Sequence, residues 1–259
     1  MVKIHVAPMC TEYKHYCEGE GFEGLGHEAA GEVVETARPG RVEVGDRVVV
    51  MPNYPCGKCP HCLGGDYIHC QNQRDIAALA GRPGGLSTYA EYVLKPDWLL
   101  VPIPDGISYE HAAMACCGLG PTFGAAERME VGAFHTLLIS GAGPVGLGGV
   151  INGAYRGARV IVAEPNEYRR ELAADLGTEM TVDPTRQDAP DRIRDFAGGG
   201  GVDRALDCSG VPEAQRLALD SLRERGHFAF VGEGGDLTIN TSLDMLRKGL
   251  TLHGVWHYN

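Results

Sequence analysis

The sequence predicts a two-domain α/β protein: a β-rich domain over residues 1–118, then a doubly wound parallel-sheet domain over residues 119–259. Short segments with alternating or β-branched side chains fill the first part. From residue 135 onward, apolar strand patterns alternate with helical patterns, which is typical of a parallel sheet covered by helices on both faces. The length of 259 residues accommodates two domains of ordinary size.

The first domain is predicted to be built mainly of strands. These strands are expected over residues 2–7, 32–36, 44–51 and 87–93. Ser108 can cap a helix that runs to residue 116, and a second helix is expected over residues 121–128. The glycines at 118 and 120 mark the boundary.

The second domain is predicted to alternate strands and helices. The strands are expected over residues 135–140, 159–163, 180–182, 202–207, 227–231 and 250–256. The helices between them are expected over residues 144–155, 167–176, 189–196, 212–225 and 242–248.

The composition excludes several classes of protein. The 37 glycines follow no collagen repeat, and 44% of the residues are hydrophobic, so the chain is neither fibrous nor disordered. The formal net charge of −11 is opposite to what a nucleic-acid binder needs. No run of about 18 apolar residues predicts a membrane span, and the first residues lack a signal-peptide pattern. We therefore expect a cytoplasmic protein with no nucleic-acid or membrane partner.

Four of the nine cysteines have the spacing C-x2-C-x2-C-x7-C. They are Cys56, Cys59, Cys62 and Cys70. Cytosolic thiols stay reduced, so this spacing indicates metal ligands rather than disulfides. Four thiolates complete a tetrahedral zinc site with no open position, which makes the site structural. The alternatives are four buried thiols without a metal, or an iron–sulfur cluster.

A G-x-G-x-x-G motif follows the predicted strand at 135–140. Its residues Gly141, Gly143, Pro144, Val145 and Gly146 are predicted to bind a dinucleotide. The first glycine allows the tight turn, the second lets a pyrophosphate approach, and the third lets helix and strand pack closely. The alternative is a glycine-rich turn that binds nothing.

Glu164 lies 18 residues after Gly146, at the end of the next predicted strand. A carboxylate there accepts hydrogen bonds from ribose hydroxyls and repels a 2′-phosphate, which favours NAD over NADP. Arg169 and Arg170 lie close enough in sequence to weaken that preference, and Arg169 is a further candidate for cofactor binding.

Taken with Cys10, the triplet Gly26-His27-Glu28 and Cys117, these motifs resemble the zinc-dependent alcohol and polyol dehydrogenases of the medium-chain dehydrogenase/reductase superfamily. The resemblance covers nearly the whole chain. The matching segments are 26–35, 44–48, 104–108 and 202–210, with the cysteine quartet and the glycine turn. It implies a GroES-like catalytic domain followed by a Rossmann domain.

The resemblance also implies a second, catalytic zinc ion. Its ligands would be Cys10, His27 and Cys117, with Glu28 as an auxiliary ligand and Cys116 as a competitor for the third position. Three protein ligands leave one position for an alcohol, whose pKa the metal lowers before hydride passes to NAD.

The resemblance assigns the proton relay to His15. Two residues after Cys10, however, where the family carries a serine or threonine, this chain has Glu12, and the family's next aspartate is Tyr13. Thr11 is the nearest hydroxyl that could take part in the relay.

The expected function is oxidation of a secondary alcohol, polyol or cyclitol by a homodimer or homotetramer with two zinc ions per chain. The alternative is a non-catalytic dinucleotide-binding protein that has only the structural zinc. Compared with the family, the first strands and the last segment of the catalytic domain are missing, so we expect a fragment. A naturally shortened form would expose strand edges.

Overall fold

A computed structural model describes residues 1–19, 24–81 and 87–257. They form two compact units, one over Met1–Cys117 and the other from Gly118 onward.

The first unit contains a five-stranded antiparallel sheet with the order β4-β1-β2-β3-β5. The strands are β1 (Val2–Val6), β2 (Ala29–Val33), β3 (Arg47–Val50), β4 (Tyr92–Val93) and β5 (Leu100–Pro102). The predicted second strand, at 32–36, lies three residues too late. Ala29, Ala30 and Gly31 lack the β-branched side chains that indicate a strand. Small residues are needed here, because a Cβ on Gly31 would lie 2.1 Å from the carbonyl oxygen of Lys3 in β1.

In the described part of this unit, three short α-helices lie between the strands and a fourth follows β5. They are α1 (Glu12–Cys17), α2 (Pro60–Leu63), α3 (Ile76–Ala80) and α4 (Tyr109–Ala113). Only the fourth was predicted. Ser108 Oγ accepts a hydrogen bond from the backbone N–H of His111 (3.3 Å) and so caps α4 as expected. The helix predicted to reach residue 116 ends at Ala113, and the chain continues in a π-helical turn over Ala115–Leu119.

The second unit confirms the predicted parallel sheet, with the order β11-β10-β9-β6-β7-β8. The strands are β6 (Thr136–Ser140), β7 (Arg159–Ala163), β8 (Met180–Val182), β9 (Val202–Asp207), β10 (Leu222–Phe230) and β11 (Thr251–Gly254). The strand order reverses between β6 and β9. In open α/β sheets, ligands bind beyond the carboxyl ends of the strands at such a reversal.

Helices cover both faces of this sheet. They are α5 (Gly120–Arg128), α6 (Pro144–Tyr155), α7 (Glu167–Asp175), α8 (Ala189–Phe196) and α9 (Pro212–Ser221). Leu137 and Ile139 belong to one apolar cluster and Leu138 to another, as alternation along a strand buried on both faces requires. Among the described residues, no helix is long and apolar enough to cross a membrane.

The end of α9 differs from the prediction. The helix was expected to continue to residue 225, but it ends at Ser221 and β10 begins at Leu222. The pairing of β10 with β9 shifts register between Leu222 and His227, and Arg225 within this interval has φ +59°. An interrupted strand of this kind has no regular sequence period.

Lys95, just after β4, is a buried cation in the first unit. Only 8% of the residue is exposed, and its Nζ lies 3.6 Å from the centroid of the Tyr54 ring. Burial lowers the pKa of Lys95 to about 7. The amine therefore carries a desolvation penalty that the aromatic ring only partly offsets.

Replacing Lys95 by methionine is expected to stabilise the protein by on the order of 2 kcal/mol at pH 7. Because the folded-state pKa lies below that of the unfolded chain, the penalty is complete below pH 7 and fades as the pH rises towards 10. Urea unfolding of both proteins at pH 7 and pH 10 measures this. The exposed Lys3→Met is the matched control. An advantage of Lys95→Met that grows with pH would contradict the assignment.

Candidate zinc and dinucleotide sites

The cysteine quartet forms a compact group of thiols. The Sγ atoms of Cys59 and Cys62 are 3.5 Å apart, and Cys59–Cys70 and Cys56–Cys62 are each separated by 3.9 Å. Four thiolates about 2.3 Å from one zinc ion would be separated by about 3.8 Å. The donor set and spacing therefore fit tetrahedral zinc, with every coordination position taken by protein.

Backbone hydrogen bonds hold this group in place. The N–H groups of Cys56 (3.2 Å) and Asn72 (3.4 Å) donate to Cys70 Sγ. Such donors stabilise a thiolate, which is the form that binds a metal. Cys59 ends the preceding loop, and Pro60 begins α2 directly after it.

A second group combines Cys10, His27, Glu28 and Cys117. One ligand atom from each residue lies within 4.8 Å of all the others. His27 Nε2 lies 3.1 Å from Cys117 Sγ. Two thiols and one imidazole are a usual catalytic zinc set that leaves one coordination position open.

Gly26 places His27 in this group. Gly26 has φ +87°, and a Cβ there would lie 2.5 Å from Tyr89 Cδ1 and 2.6 Å from Thr88 Oγ1. Any side chain at position 26 would therefore displace the loop. Thr88 holds this loop from the other side, because its Oγ1 donates to the carbonyl of Glu28 (2.9 Å).

Glu28 and Cys117 are linked directly. Glu28 is 2% exposed, and its Oε2 accepts a hydrogen bond from the backbone N–H of Cys117 (2.8 Å). Burial raises the pKa of Glu28 to about 7. The competing Cys116 lies outside the group, with its Sγ 3.9 Å from the carbonyl oxygen of Val50. This geometry favours Cys117 over Cys116 as a ligand.

Cys10 and His27 are electrostatically complementary. A hydrogen bond with Cys117 lowers the pKa of Cys10 to about 4, with His27 contributing in the same direction. Burial opposes the protonated form of His27, but hydrogen bonds with Cys10 and Glu12 raise its pKa to about 10. The site therefore favours the thiolate of Cys10, as metal binding requires.

The predicted relay residues lie on or beside α1. The Oγ1 of Thr11 is 3.9 Å from Cys10 Sγ, and Thr11 is exposed. His15 belongs to α1, but its side chain lies outside the described part of the structure. From the sequence, Glu12 is a departure from the family, and either Thr11 or Glu12 could replace the usual hydroxyl of the relay. The structure places Glu12 Oε1 3.1 Å from His27 Nδ1.

The glycine turn connects β6 to α6. Gly141 has φ +89°, and its N–H donates to the carbonyl of Ala163 (2.8 Å). A Cβ on Gly146 would lie 1.9 Å from the carbonyl oxygen of Gly141, whereas a Cβ on Gly143 would meet nothing within 4 Å. Pro144 begins the helix, and Val145 follows in its first turn. The turn therefore leaves open space at Gly143, where the motif predicts a pyrophosphate.

Glu164 lies beside this turn at the end of β7. It is 4% exposed, and its two oxygens accept hydrogen bonds from the backbone N–H groups of Ala142 (2.7 Å) and Asn166 (3.0 Å). Arg170 donates to the carbonyls of Glu164 (2.8 Å) and Pro165 (2.6 Å), while Arg169 is exposed. Glu164 thus holds the turn in addition to its predicted role towards ribose.

Two family descriptions match the chain. The alcohol dehydrogenase GroES-like domain matches residues 1–105, and the zinc-binding dehydrogenase domain matches residues 144–259. The chain belongs to the zinc-binding dehydrogenases of the medium-chain dehydrogenase/reductase superfamily. Its first unit is a GroES-like domain, and its second is a Rossmann-like domain.

Among similar proteins are L-threonine 3-dehydrogenases. The one from Pyrococcus furiosus is 35% identical over 272 residues, which cover 98% of this chain and 74% of the relative. The one from Pyrococcus horikoshii is 35% identical over 240 residues, which cover 89% of this chain and 65% of the relative. The chain thus spans about two thirds to three quarters of the length of these relatives.

Solved structures show the same fold. A protein described as a zinc-binding dehydrogenase from Sinorhizobium meliloti 1021, bound to NADP, is 30% identical, with a TM-score of 0.86. That match covers 99% of this chain and 76% of the other. Alcohol dehydrogenase from Thermus sp. ATN1 is 25% identical, with a TM-score of 0.87, covering 98% of this chain and 76% of the other.

We expect the purified protein to hold two zinc ions per chain. Cys62→Ser should hold one and unfold at a lower temperature, because structural zinc contributes folding free energy directly. Cys10→Ser should also hold one, with little change in unfolding temperature. The exposed Cys17→Ser is the matched control and should keep both. Elemental analysis with thermal unfolding measures these outcomes, and one zinc in the wild-type protein would argue against the second site.

Proposed function

We propose that this chain is the zinc- and NAD-dependent catalytic part of a dehydrogenase that oxidises a secondary alcohol, including those of polyols and cyclitols. The observation that carries the proposal is the group of Cys10, His27 and Cys117, whose donor atoms suit zinc and leave one coordination position for substrate. The named relatives act on L-threonine, itself a secondary alcohol, so hydroxy amino acids belong among the candidate substrates.

In this proposal the cofactors supply the difficult chemistry: zinc would lower the pKa of the alcohol, and NAD would provide the hydride acceptor. Cys10, His27 and Cys117 would hold the metal. Glu28 restrains Cys117 by accepting a hydrogen bond from its backbone N–H, and it would serve as the auxiliary ligand. Thr11 and His15 are proposed to carry the released proton to solvent.

The preference for NAD is proposed from Glu164. Its carboxylate lies at the end of β7, where a 2′-phosphate would meet a buried negative charge whose two oxygens already accept hydrogen bonds from the backbone of Ala142 and Asn166. The Sinorhizobium meliloti structure bound to NADP is a counterexample among similar proteins, so the preference of this chain has to be measured. The exposed guanidinium of Arg169 is the group most available to a phosphate at this site.

A second candidate function is dinucleotide binding without catalysis, with zinc used only for folding. It is favoured by Glu12 and Tyr13, which occupy the positions where the resemblance places a hydroxyl and an aspartate. Binding of NADH with no turnover on any alcohol would support this function.

Activity tests the main proposal. Wild-type protein with NAD, assayed on L-threonine and a panel of secondary alcohols, sugars and polyols, should produce NADH. His27→Ala should lower kcat at least about 100-fold, because it removes a ligand of the proposed catalytic metal. Cys17→Ser should retain wild-type activity. Equal turnover by His27→Ala and wild-type protein would contradict a catalytic role for the group of Cys10, His27 and Cys117.

Cofactor binding tests the glycine turn separately. Gly143→Ala should leave the unfolding temperature nearly unchanged but weaken NADH binding about tenfold or more, because its new methyl group enters the open space at the turn. Gly146→Ala should lower the unfolding temperature as well, because its methyl group would strike the backbone of Gly141. Calorimetric titration with NADH and thermal unfolding give both readouts. Unchanged NADH affinity in Gly143→Ala would place the pyrophosphate elsewhere.

A further inference from the structure

Glu12 occupies a particular position beside the second metal-binding group. It is the first residue of α1, two residues after Cys10. Its side chain is 13% exposed, whereas Thr11 and Tyr13 on either side are exposed. Glu12 is therefore the residue of this segment that turns towards the cysteines and His27.

The two nitrogens of His27 face different partners. Nδ1 lies 3.1 Å from Glu12 Oε1, and Nε2 lies 3.1 Å from Cys117 Sγ. A neutral imidazole has one N–H donor and one acceptor nitrogen. Metal binding requires the neutral ring. A carboxylate accepts but does not donate, so in that ring the proton belongs on Nδ1, which faces Glu12, and the lone pair of Nε2 is directed at the metal-binding group.

The burial of Glu12 strengthens this assignment. Both of its oxygens are buried without a well-formed hydrogen bond among the residues that the structure describes, and Oε1 lies 3.1 Å from His27 Nδ1. A buried carboxylate is costly unless it is paired, and the imidazole N–H is the neighbouring donor at short distance. The carboxylate of Glu12 is therefore paired with His27. Of the two residues, Thr11 remains the candidate for the proton path.

We infer that Glu12 is the positioning residue for His27: it fixes the Nδ1–H tautomer and the ring orientation that present Nε2 to a metal ion. This inference rests on the proposed function, which places zinc at Cys10, His27 and Cys117. Carboxylates that orient a metal-binding histidine commonly contribute 10- to 100-fold to metal affinity. Glu12 would orient His27 from a sequence position where the family resemblance predicts a hydroxyl.

The test compares Glu12→Ala with Glu12→Gln, whose amide oxygen can still accept the Nδ1–H bond. Zinc affinity is measured by chelator competition, and the cysteine quartet serves as an internal reference within each molecule. In Glu12→Ala, the zinc affinity of the more weakly binding site should fall about 10- to 100-fold, whereas the zinc affinity of the quartet should stay the same. Glu12→Gln should recover most of this affinity. Glu43→Ala, a substitution at an exposed glutamate of the same unit, is the matched control.

Two spectroscopic readouts separate positioning from a general structural effect. Cobalt substituted at the second site should give an altered d–d spectrum in Glu12→Ala and a nearly native one in Glu12→Gln. Long-range ¹H–¹⁵N spectra of the zinc-loaded wild-type protein should show His27 with its proton on Nδ1.

The outcomes are distinguishable. If the wild-type protein binds two zinc ions and Glu12→Ala holds both as tightly as wild type, the assignment of Glu12 is wrong and the proposed function stands. If Glu12→Gln is as impaired as Glu12→Ala, hydrogen-bond acceptance is not the role of this side chain. If the wild-type protein binds only the quartet zinc, the proposed function fails, and the inference fails with it.

Discussion

The pairing of β1 with β2 is the constraint on which the second metal-binding group depends. In this antiparallel pair, Val6 lies opposite Ala30, so the chain leaves β1 at the end where it enters β2. Cys10 follows β1 by four residues, and His27 precedes β2 by two. Two ligands that are 17 residues apart in sequence therefore reach one place without a long loop crossing the sheet. The left-handed backbone at Gly26 then turns His27 towards Cys10.

The two cysteine-containing groups have opposite designs within the same unit. The quartet comes from one local segment, and its spacing alone brings four sulfurs together. The second group is assembled from three distant segments and combines two sulfurs with an imidazole and a carboxylate, Glu28, which accepts a hydrogen bond from the backbone N–H of Cys117. A local, all-sulfur group suits a permanent structural ion, whereas an assembled group with an open side suits a site where a ligand exchanges.

These designs explain what could be predicted from the sequence. Apart from the end of α9, strands β6 to β9 and helices α6 to α9 were predicted well, because buried strands and helices of eight or more residues impose a clear period. The helix α1, of six residues, is too short to show one. The strand β5 ends at Pro102, a residue that sequence patterns of strands exclude but an edge strand tolerates. The quartet follows from spacing alone. The contact between Glu12 and His27 could not be predicted, because it depends on the direction in which a six-residue helix presents one side chain.

Glu164 shows how one carboxylate can serve a fold and a site together. The motif predicts it as the acceptor for ribose, yet in the structure it also bonds the N–H of Ala142 within the glycine turn. The part of a dinucleotide site that would select the ribose therefore also holds the part that would receive the pyrophosphate. Removing the charge at Glu164 to accommodate a 2′-phosphate would loosen the turn as well. A change of cofactor preference in this chain thus requires a new acceptor for the Ala142 N–H along with a new cation for the phosphate.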